Sequence, residues 1–418
     1  MATLSAPRIA PKPDHVAAEL VYDYDMYHDP ALNENAPERL VDIAANAPPV
    51  FWTPHNGGMW FVTRFRLVTE AGRNWEAFSS EPFTPEEAEA LRAALPADEQ
   101  IYQPVPILLD PPLHTKFRKP LNLVFAPKAM MAMQDSIRAL AVELIDRVKD
   151  RSGCEFMAAI GEPMPVQVFL EMFGLPLERQ DEFRKIVGDH LSEDFGDHAD
   201  SQRMLRAMAM LMRDTLLERQ ANPTGDLISR LWQTDVDGRP LTLEDMQNYC
   251  ILLFIAGLDT VMNAMGYGVR HLAANPELQA ELRADPALIP EAAEELLRRY
   301  SFVNSMRRAG KDMSFGGAEI KAGERIVLYN PAANVDPEEF PDPGTFDLHR
   351  ENKAHVTFAS GPHRCLGSHL ARIELQTLYE EMLARLPEFR LDTDRPVTYR
   401  CGPVIGPRAV HIIWDTQD

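Results

Sequence analysis

Three groups of residues in this sequence have the types and spacing to do chemistry. The first is Phe358-Ala359-Ser360-Gly361-Pro362-His363-Arg364-Cys365-Leu366-Gly367, followed by SHLARIELQTLYEEMLARL, which has helical periodicity. A cysteine at a loop-to-helix junction sits where backbone N–H groups and the helix N-terminus stabilise a thiolate, making it a metal ligand or a nucleophile. Read as zinc, His363, Cys365 and His369 have awkward geometry and no second ligand pair; read as a nucleophile, Cys365 lacks an obvious base. A buried, inert thiol is the plain alternative. The second group is Ala256-Gly257-Leu258-Asp259-Thr260, inside a stretch that is apolar on every helical face. A buried carboxylate and a mid-helix glycine each break a local rule, the glycine at about 1 kcal/mol relative to alanine, and such breaks tend to mark function. Ala256 and Gly257 would let something bulky or gaseous approach the backbone, while Asp259 and Thr260 supply a proton path; a salt-bridged Asp and a Thr bonded to its own helix are the alternative. The third group is Glu295 and Arg298, three apart on one helical face, a pair that many solvated helices also carry.

These residues need elements to hold them. Thr242 with Asp245 is a capping-box start for a long helix from about Leu243 to Asn275, which should run through the core. From about residue 127 to 300 the 3.6-residue period dominates. Val50 to Thr53 and Met59 to Thr63, flanking His55-Asn56-Gly57-Gly58, predict a β-hairpin, and Glu319 to Tyr329 and Val410 to Trp414 predict strands. Residues 81–109, with Pro82, Pro85, Pro96, Pro104 and Pro106, predict an irregular excursion of the kind that lids a site. A long proline-rich loop is expected over Pro331 to Pro343. The class is mainly α with small β-sheets, in one domain over residues 1–418.

In order along the chain, A-G-x-D-T at Ala256 to Thr260, E-x-x-R at Glu295 to Arg298 and F-x-x-G-x-H-x-C-x-G at Phe358 to Gly367 resemble the cytochrome P450 family. The last motif is highly specific. HVAAELVYDYDMY and NGGMWFVTR near the N-terminus look like its bacterial camphor hydroxylase branch, and the resemblance covers nearly the whole chain. It implies the cytochrome P450 fold, with haem b between the long central helix and the cysteine loop, and a monooxygenase using O2. It implies Cys365 as the axial thiolate ligand of the iron, and Asp259 and Thr260 as catalytic residues of proton delivery. Ala256, Gly257, Thr260, Phe358 and Gly367 would contact the haem. Its propionates would be met by His114 and Arg118, one helical turn apart after Asp110-Pro111-Pro112, and by Arg307 and His363; an acid found near them in camphor hydroxylase is replaced by Ser305. Glu295 and Arg298 would hold the core, with Arg350 or His349 as third member. Tyr102, Leu252, Ile255, Val303 and Val404 would line the substrate pocket, Tyr102 lying eight residues before Asp110 where that branch hydrogen-bonds a ketone; a Tyr102 that faces the core with its ring buried is the alternative. One donor in an apolar pocket fits a small oxygenated terpenoid, camphor, a bicyclic ether or an ionone-like norisoprenoid, with the segment from Pro85 to Gln103 departing from the branch.

With 418 residues, 45% hydrophobic and 25% charged, composition is that of a globular chain. The formal charge of −21 argues against nucleic acid and anionic lipid as partners. No run is expected to approach the roughly 20 apolar residues of a membrane span, and the N-terminus lacks a secretory apolar stretch, so a cytoplasmic location is expected. The four cysteines have no paired spacing and should be reduced. No flavin or iron–sulfur module is expected within the chain, so electrons would come from a separate [2Fe–2S] ferredoxin with its reductase. His114, Lys116, Arg118, Lys119, Arg364 and Arg372 would form a local basic patch for it. A haem-thiolate isomerase or peroxygenase, or a non-catalytic haem sensor, are the other classes of function to weigh.

Overall fold

The computed structural model describes residues 9–94, 100–185 and 198–415. About 52% of the chain is helical, so the mainly α class holds. The N-terminal hairpin forms as the pattern predicts: Val50–Thr53 pairs antiparallel with Met59–Val62, Val50 opposite Val62. Asn56, Gly57 and Gly58 all take positive φ in its turn, which is why two glycines follow an asparagine there. Met59–Val62 then runs parallel to Arg325–Leu328, which pairs antiparallel with Ser305–Ala309 and so brings Arg307 onto the sheet. Phe78–Ser79 closes the far edge. The stretch predicted as one strand over Glu319 to Tyr329 is two, Ala318–Ile320 and Arg325–Leu328, because Gly323 turns between them at φ +84°. The 331–343 loop opens with one helical turn, Asn330–Ala333.

Among the described residues, the helical middle contains two strand interruptions that periodicity did not show, the strand Gly153–Glu155 and the two-residue ladder Asp235–Val236 with Arg239–Pro240. Strands this short offer no run of alternation to read. Gly153–Glu155 docks on His411–Trp414, itself paired with Phe389–Leu391.

The central helix starts at the expected box. Thr242 accepts from the Asp245 backbone N–H, and Asp245 is steadied by Arg239 at 2.8 Å. It is two segments, Leu243–Gly257 and Asp259–Ala274, meeting at Leu258. Contrary to the sequence expectation about spans, Leu243–Ala274 is 32 residues with mean hydropathy 1.5, long and apolar enough to cross a membrane; 72% of its apolar window is buried in the protein, as a core helix is.

The excursion over residues 81–109 contains the helix Pro85–Ala94; Pro96, within 95–99, lies outside the described residues. Beyond it the chain is tied onto the central helix. The Gln103 N–H donates to the Asn248 side chain at 3.1 Å, and Gln202 exchanges hydrogen bonds with both backbone groups of Tyr102.

Candidate haem site

Cys365 follows the 3-10 turn Gly361–His363 and precedes the helix Ser368–Arg385. Close backbone packing fixes that loop against the helix Phe65–Arg73. A Cβ on Gly361, at φ +71°, would lie 2.1 Å from the Gly72 carbonyl, and one on Gly72 would lie 2.2 Å from the Ser360 hydroxyl. The Cys365 N–H donates to the Phe358 carbonyl at 2.8 Å. Burial pushes the thiol up, while the Gly367 N–H and the guanidinium groups of Arg118, Arg372 and Arg364 favour the thiolate. The backbone N–H is an influence the sequence predicted for a junction thiolate; in the protein alone burial outweighs it and the thiol is raised, not lowered.

Cys365 is exposed and Arg307 part-exposed, so both keep accessible surface. Ala256 is exposed and Gly257 and Thr260 are part-exposed on a helix whose neighbours Leu252, Leu253 and Leu258 are buried, so one face of the core helix also borders open space. Phe358, His363 and Gly367 are part-exposed on the cysteine loop. A surface groove of about 670 Å³ along Phe65 to Glu76 contains none of these groups.

Basic groups gather there without matching carboxylates. His114 is 2% exposed and neither ring nitrogen has a partner among the described residues. Its ring centre is 4.3 Å from that of His363, whose Nε2 is 3.0 Å from the Ser80 hydroxyl. Burial pushes His114 down to about 4, His363 to about 3 and Arg307 to about 10. Arg118 donates to the Arg364 carbonyl at 2.6 Å. Asp110, the nearest acid acting on His114 and Arg307, spends its oxygens on the Ser79 hydroxyl and the Ser80 N–H. Two imidazoles and two guanidiniums, desolvated and under-neutralised, make a receptor for an anionic group. The haem propionates are such groups, so the residues present fit that cofactor.

On the central helix, Asp259 is 4% exposed. Its Oδ1 accepts from Asn263 at 2.9 Å and from Arg400 at 3.1 Å, and its Oδ2 has no partner among the described residues. Burial raises its pKa, against the lowering effects of Arg400 and Asn263. The Thr260 hydroxyl donates to the Ala256 carbonyl at 2.7 Å.

A family model described as cytochrome P450 matches residues 54–400. The chain belongs to the cytochrome P450 family. It is 34% identical to the probable cytochrome P450 127A1 of Sinorhizobium fredii over 97% of both chains. It is 35% identical to a steroid C26-monooxygenase of Mycolicibacterium smegmatis, over 88% of this chain and 90% of that one. Among solved structures, CYP101J2 aligns with a TM-score of 0.86 at 32% identity, covering 97% of this chain and 100% of that one, and CYP101C1 with 0.85 at 30%, with the same coverage. These two structural neighbours lie in the camphor hydroxylase branch. This cytochrome P450 is therefore a haem-thiolate monooxygenase with haem b as cofactor, and its fold places the haem between the central helix and the cysteine loop.

Sequence reading placed several groups correctly in space and missed others. Glu295 accepts from Arg298 at 2.8 Å and from Arg350 at 3.0 Å, all three buried, whereas His349 is exposed beside Glu281. Ser305 accepts from Asn330 at 3.1 Å. The expected basic patch is narrower. His114 points inward, Lys116 pairs with Asp237 at 2.7 Å, and Arg372 pairs with Glu294 while lying 4.5 Å over the Phe358 ring. Arg364 and Lys119 stay exposed. Of the pocket residues, Val303 and Val404 face one another across an isolated bridge, Leu252 is buried, and Ile255 is part-exposed. Tyr102 packs its ring in the main core. Ser80 and Arg400 were missed. Ser80 carries no local signal, and Arg400 lies 141 positions from the acid it meets.

Proposed function

We propose that the 418 residues form one cytoplasmic monooxygenase domain that hydroxylates a small apolar terpenoid or norisoprenoid, with electrons from a [2Fe–2S] ferredoxin and its reductase. What supports this is the chemistry of the residues assigned to the substrate wall: Leu252, Ile255, Val303 and Val404 are all aliphatic, and Tyr102, whose ring packs in the core, is the one residue assigned there that carries a polar group. When bound, the haem supplies activation of dioxygen and insertion of one oxygen atom into the substrate. The protein's residues do the rest. Cys365 ligates the iron, and His114, Arg118, Arg307 and His363 meet the propionates. Ala256 and Gly257 give the helix backbone close approach, with Phe358 and Gly367 against the other face. Thr260 and Asp259 hold and pass the proton that oxygen chemistry consumes. Arg364 and Lys119 offer the positive surface for an acidic ferredoxin.

A steroid is the second reading, favoured by the steroid C26-monooxygenase at 35% identity. The test is to bind camphor, cineole, ionone and cholestenone to the ferric protein and follow the spin state, then reconstitute turnover with a ferredoxin. A spin shift and oxygenated product with a small terpenoid support the proposal; a response to cholestenone alone replaces it with the steroid reading. Cys365→Ser serves as the ligand control, and survival of the thiolate-type Soret band of the reduced carbon monoxide complex in that variant would remove Cys365 from its role.

A further inference from the structure

The carboxylate on the central helix is held by a piece of chain far away in sequence. Tyr399–Arg400 pairs antiparallel with Gly406–Pro407, Arg400 opposite Gly406. Both strands of this small hairpin act on Asp259. From the first, Arg400 donates to Oδ1 at 3.1 Å. From the second, Gly406 makes room for the Asn263 amide: a Cβ there would lie 1.8 Å from the Asn263 Oδ1. With that room, the Asn263 amide nitrogen donates to the same Asp259 Oδ1 at 2.9 Å and to the Asp259 carbonyl at 2.9 Å. Both donors therefore converge on Oδ1, and Oδ2 is left buried without a partner among the described residues.

Among the described residues, the charged group acting on Asp259 from the elements packed around its helix is Arg400. The neighbouring contacts on the same helix are uncharged, Met157 and Pro407 against Gly266 and the Tyr379 hydroxyl against Gly268. The turn that joins the two strands also carries Val404, bridged to Val303, and is pinned by Asn304, which donates its N–H to the Pro403 carbonyl at 2.8 Å and its side-chain amide to the Gly402 carbonyl at 2.9 Å. One hairpin thus contributes to the substrate wall and grips the acid.

We propose that the hairpin Tyr399 to Pro407 is the clamp of the proton relay, with Arg400 as its positioning residue: it holds Oδ1 and leaves Oδ2 as the oxygen that takes up and releases the proton. This rests on the relay role of Asp259 and Thr260. Arg400 touches neither substrate nor haem in this role; it acts through Asp259. The proton arrives on Oδ2 and leaves from it, so the carboxyl returns to its starting state, and Arg400 keeps its charge throughout.

The test compares the haem-loaded parent, R400Q, R400K and D259N. Infrared difference spectra of the ferric proteins with 13C-labelled aspartate identify the Asp259 carboxyl as the band that D259N removes, without turnover. In R400Q its titration is expected to move up by about one pH unit or more, since an adjacent cation favours the ionised form by that much. Peroxide released per oxygen consumed, with whichever of camphor, cineole, ionone or cholestenone gives the largest spin shift, should rise about tenfold, below the roughly 10²–10⁴ contributed by a general acid itself. R400K should restore both most of the way. An unmoved band in R400Q, or a change that R400K leaves unrepaired, overturns the clamp. If D259N releases no more peroxide than the parent, the relay reading falls first and the clamp with it; if D259N leaks and R400Q does not, only the clamp falls.

Discussion

Thr260 and Asp259 show what a residue does when its helix is built around it. The Thr260 hydroxyl reaches back to the Ala256 carbonyl at 2.7 Å, a bond that tends to bend a helix, and here it lies two residues past the break at Leu258. That bond parks the hydroxyl beside the part-open face made by Ala256 and Gly257 instead of in the apolar core. Thr260→Ala removes the hydroxyl and changes little packing. We expect oxygen consumption to continue and peroxide to replace product, with at least a roughly tenfold loss of coupling on the scale of general acid–base effects. Peroxide and product assays on the same samples check this, and unchanged coupling would take the proton-delivery role away from Thr260. The motif A-G-x-D-T was readable as two broken local rules, a buried acid and a glycine inside an apolar helix. The direction of the carboxyl was not, because Arg400 and Asn263 compete for the same oxygen only after the hairpin has docked.

The helix Ser368–Arg385 has a feature at the scale of an element. Glu374 is 2% exposed, its Oε2 has no partner among the described residues, and burial pushes its carboxyl up to about 8. A carboxyl raised in the folded state binds a proton there that the unfolded chain has already lost, so between about pH 4.5 and pH 8 stability falls as pH rises. Glu374→Gln has no such proton to lose. The stability difference between variant and parent should therefore climb across that window, towards a ceiling of roughly 5 kcal/mol. Denaturant unfolding at several pH values measures it, and parallel pH profiles would show that the acid is ionised in the native protein. The constant cost of an unpartnered amide drops out of the slope. Sequence periodicity located this helix, since apolar residues recur along it. It did not separate Glu374 from its charged neighbours, because Arg372 and Glu381 find partners in Glu294 and Arg385, and whether a partner exists depends on what packs alongside.

Across the whole molecule, buried charge is what ties distant segments together. Glu295 and Arg298 are fully buried, Arg350 nearly so, and the two arginines also donate to the carbonyls of Asn334, Pro341, Pro343 and Thr345. One triad thus anchors the helix Ile289–Arg299 to the long loop that leads into the cysteine segment. Removing one partner strands a charge in the core, so Glu295→Gln should cost about 3–5 kcal/mol and weaken haem retention; a stability loss below about 1 kcal/mol would show the triad to be dispensable. At the surface the effect of charge is smaller and kinetic. Arg364→Glu should slow reduction by an acidic ferredoxin, more at low salt than at high, while leaving substrate titration unchanged; a salt-independent rate would remove that surface from the docking site.

The sequence by itself determined the class of protein. Local rules, namely a cysteine at a helix start, a glycine and an acid inside an apolar helix, and an asparagine followed by two glycines in a hairpin turn, are properties of neighbouring residues and survive being read in one dimension. Tertiary structure decided everything that depends on which distant groups meet. It chose Arg350 over His349 for Glu295, took Lys116 and Arg372 out of the basic patch by pairing them with Asp237 and Glu294, and set Arg400 against Asp259. The physical reason is the same in each case: a charge that leaves water must find a partner, and the partner is whichever group the fold brings within about 3 Å, regardless of separation along the chain.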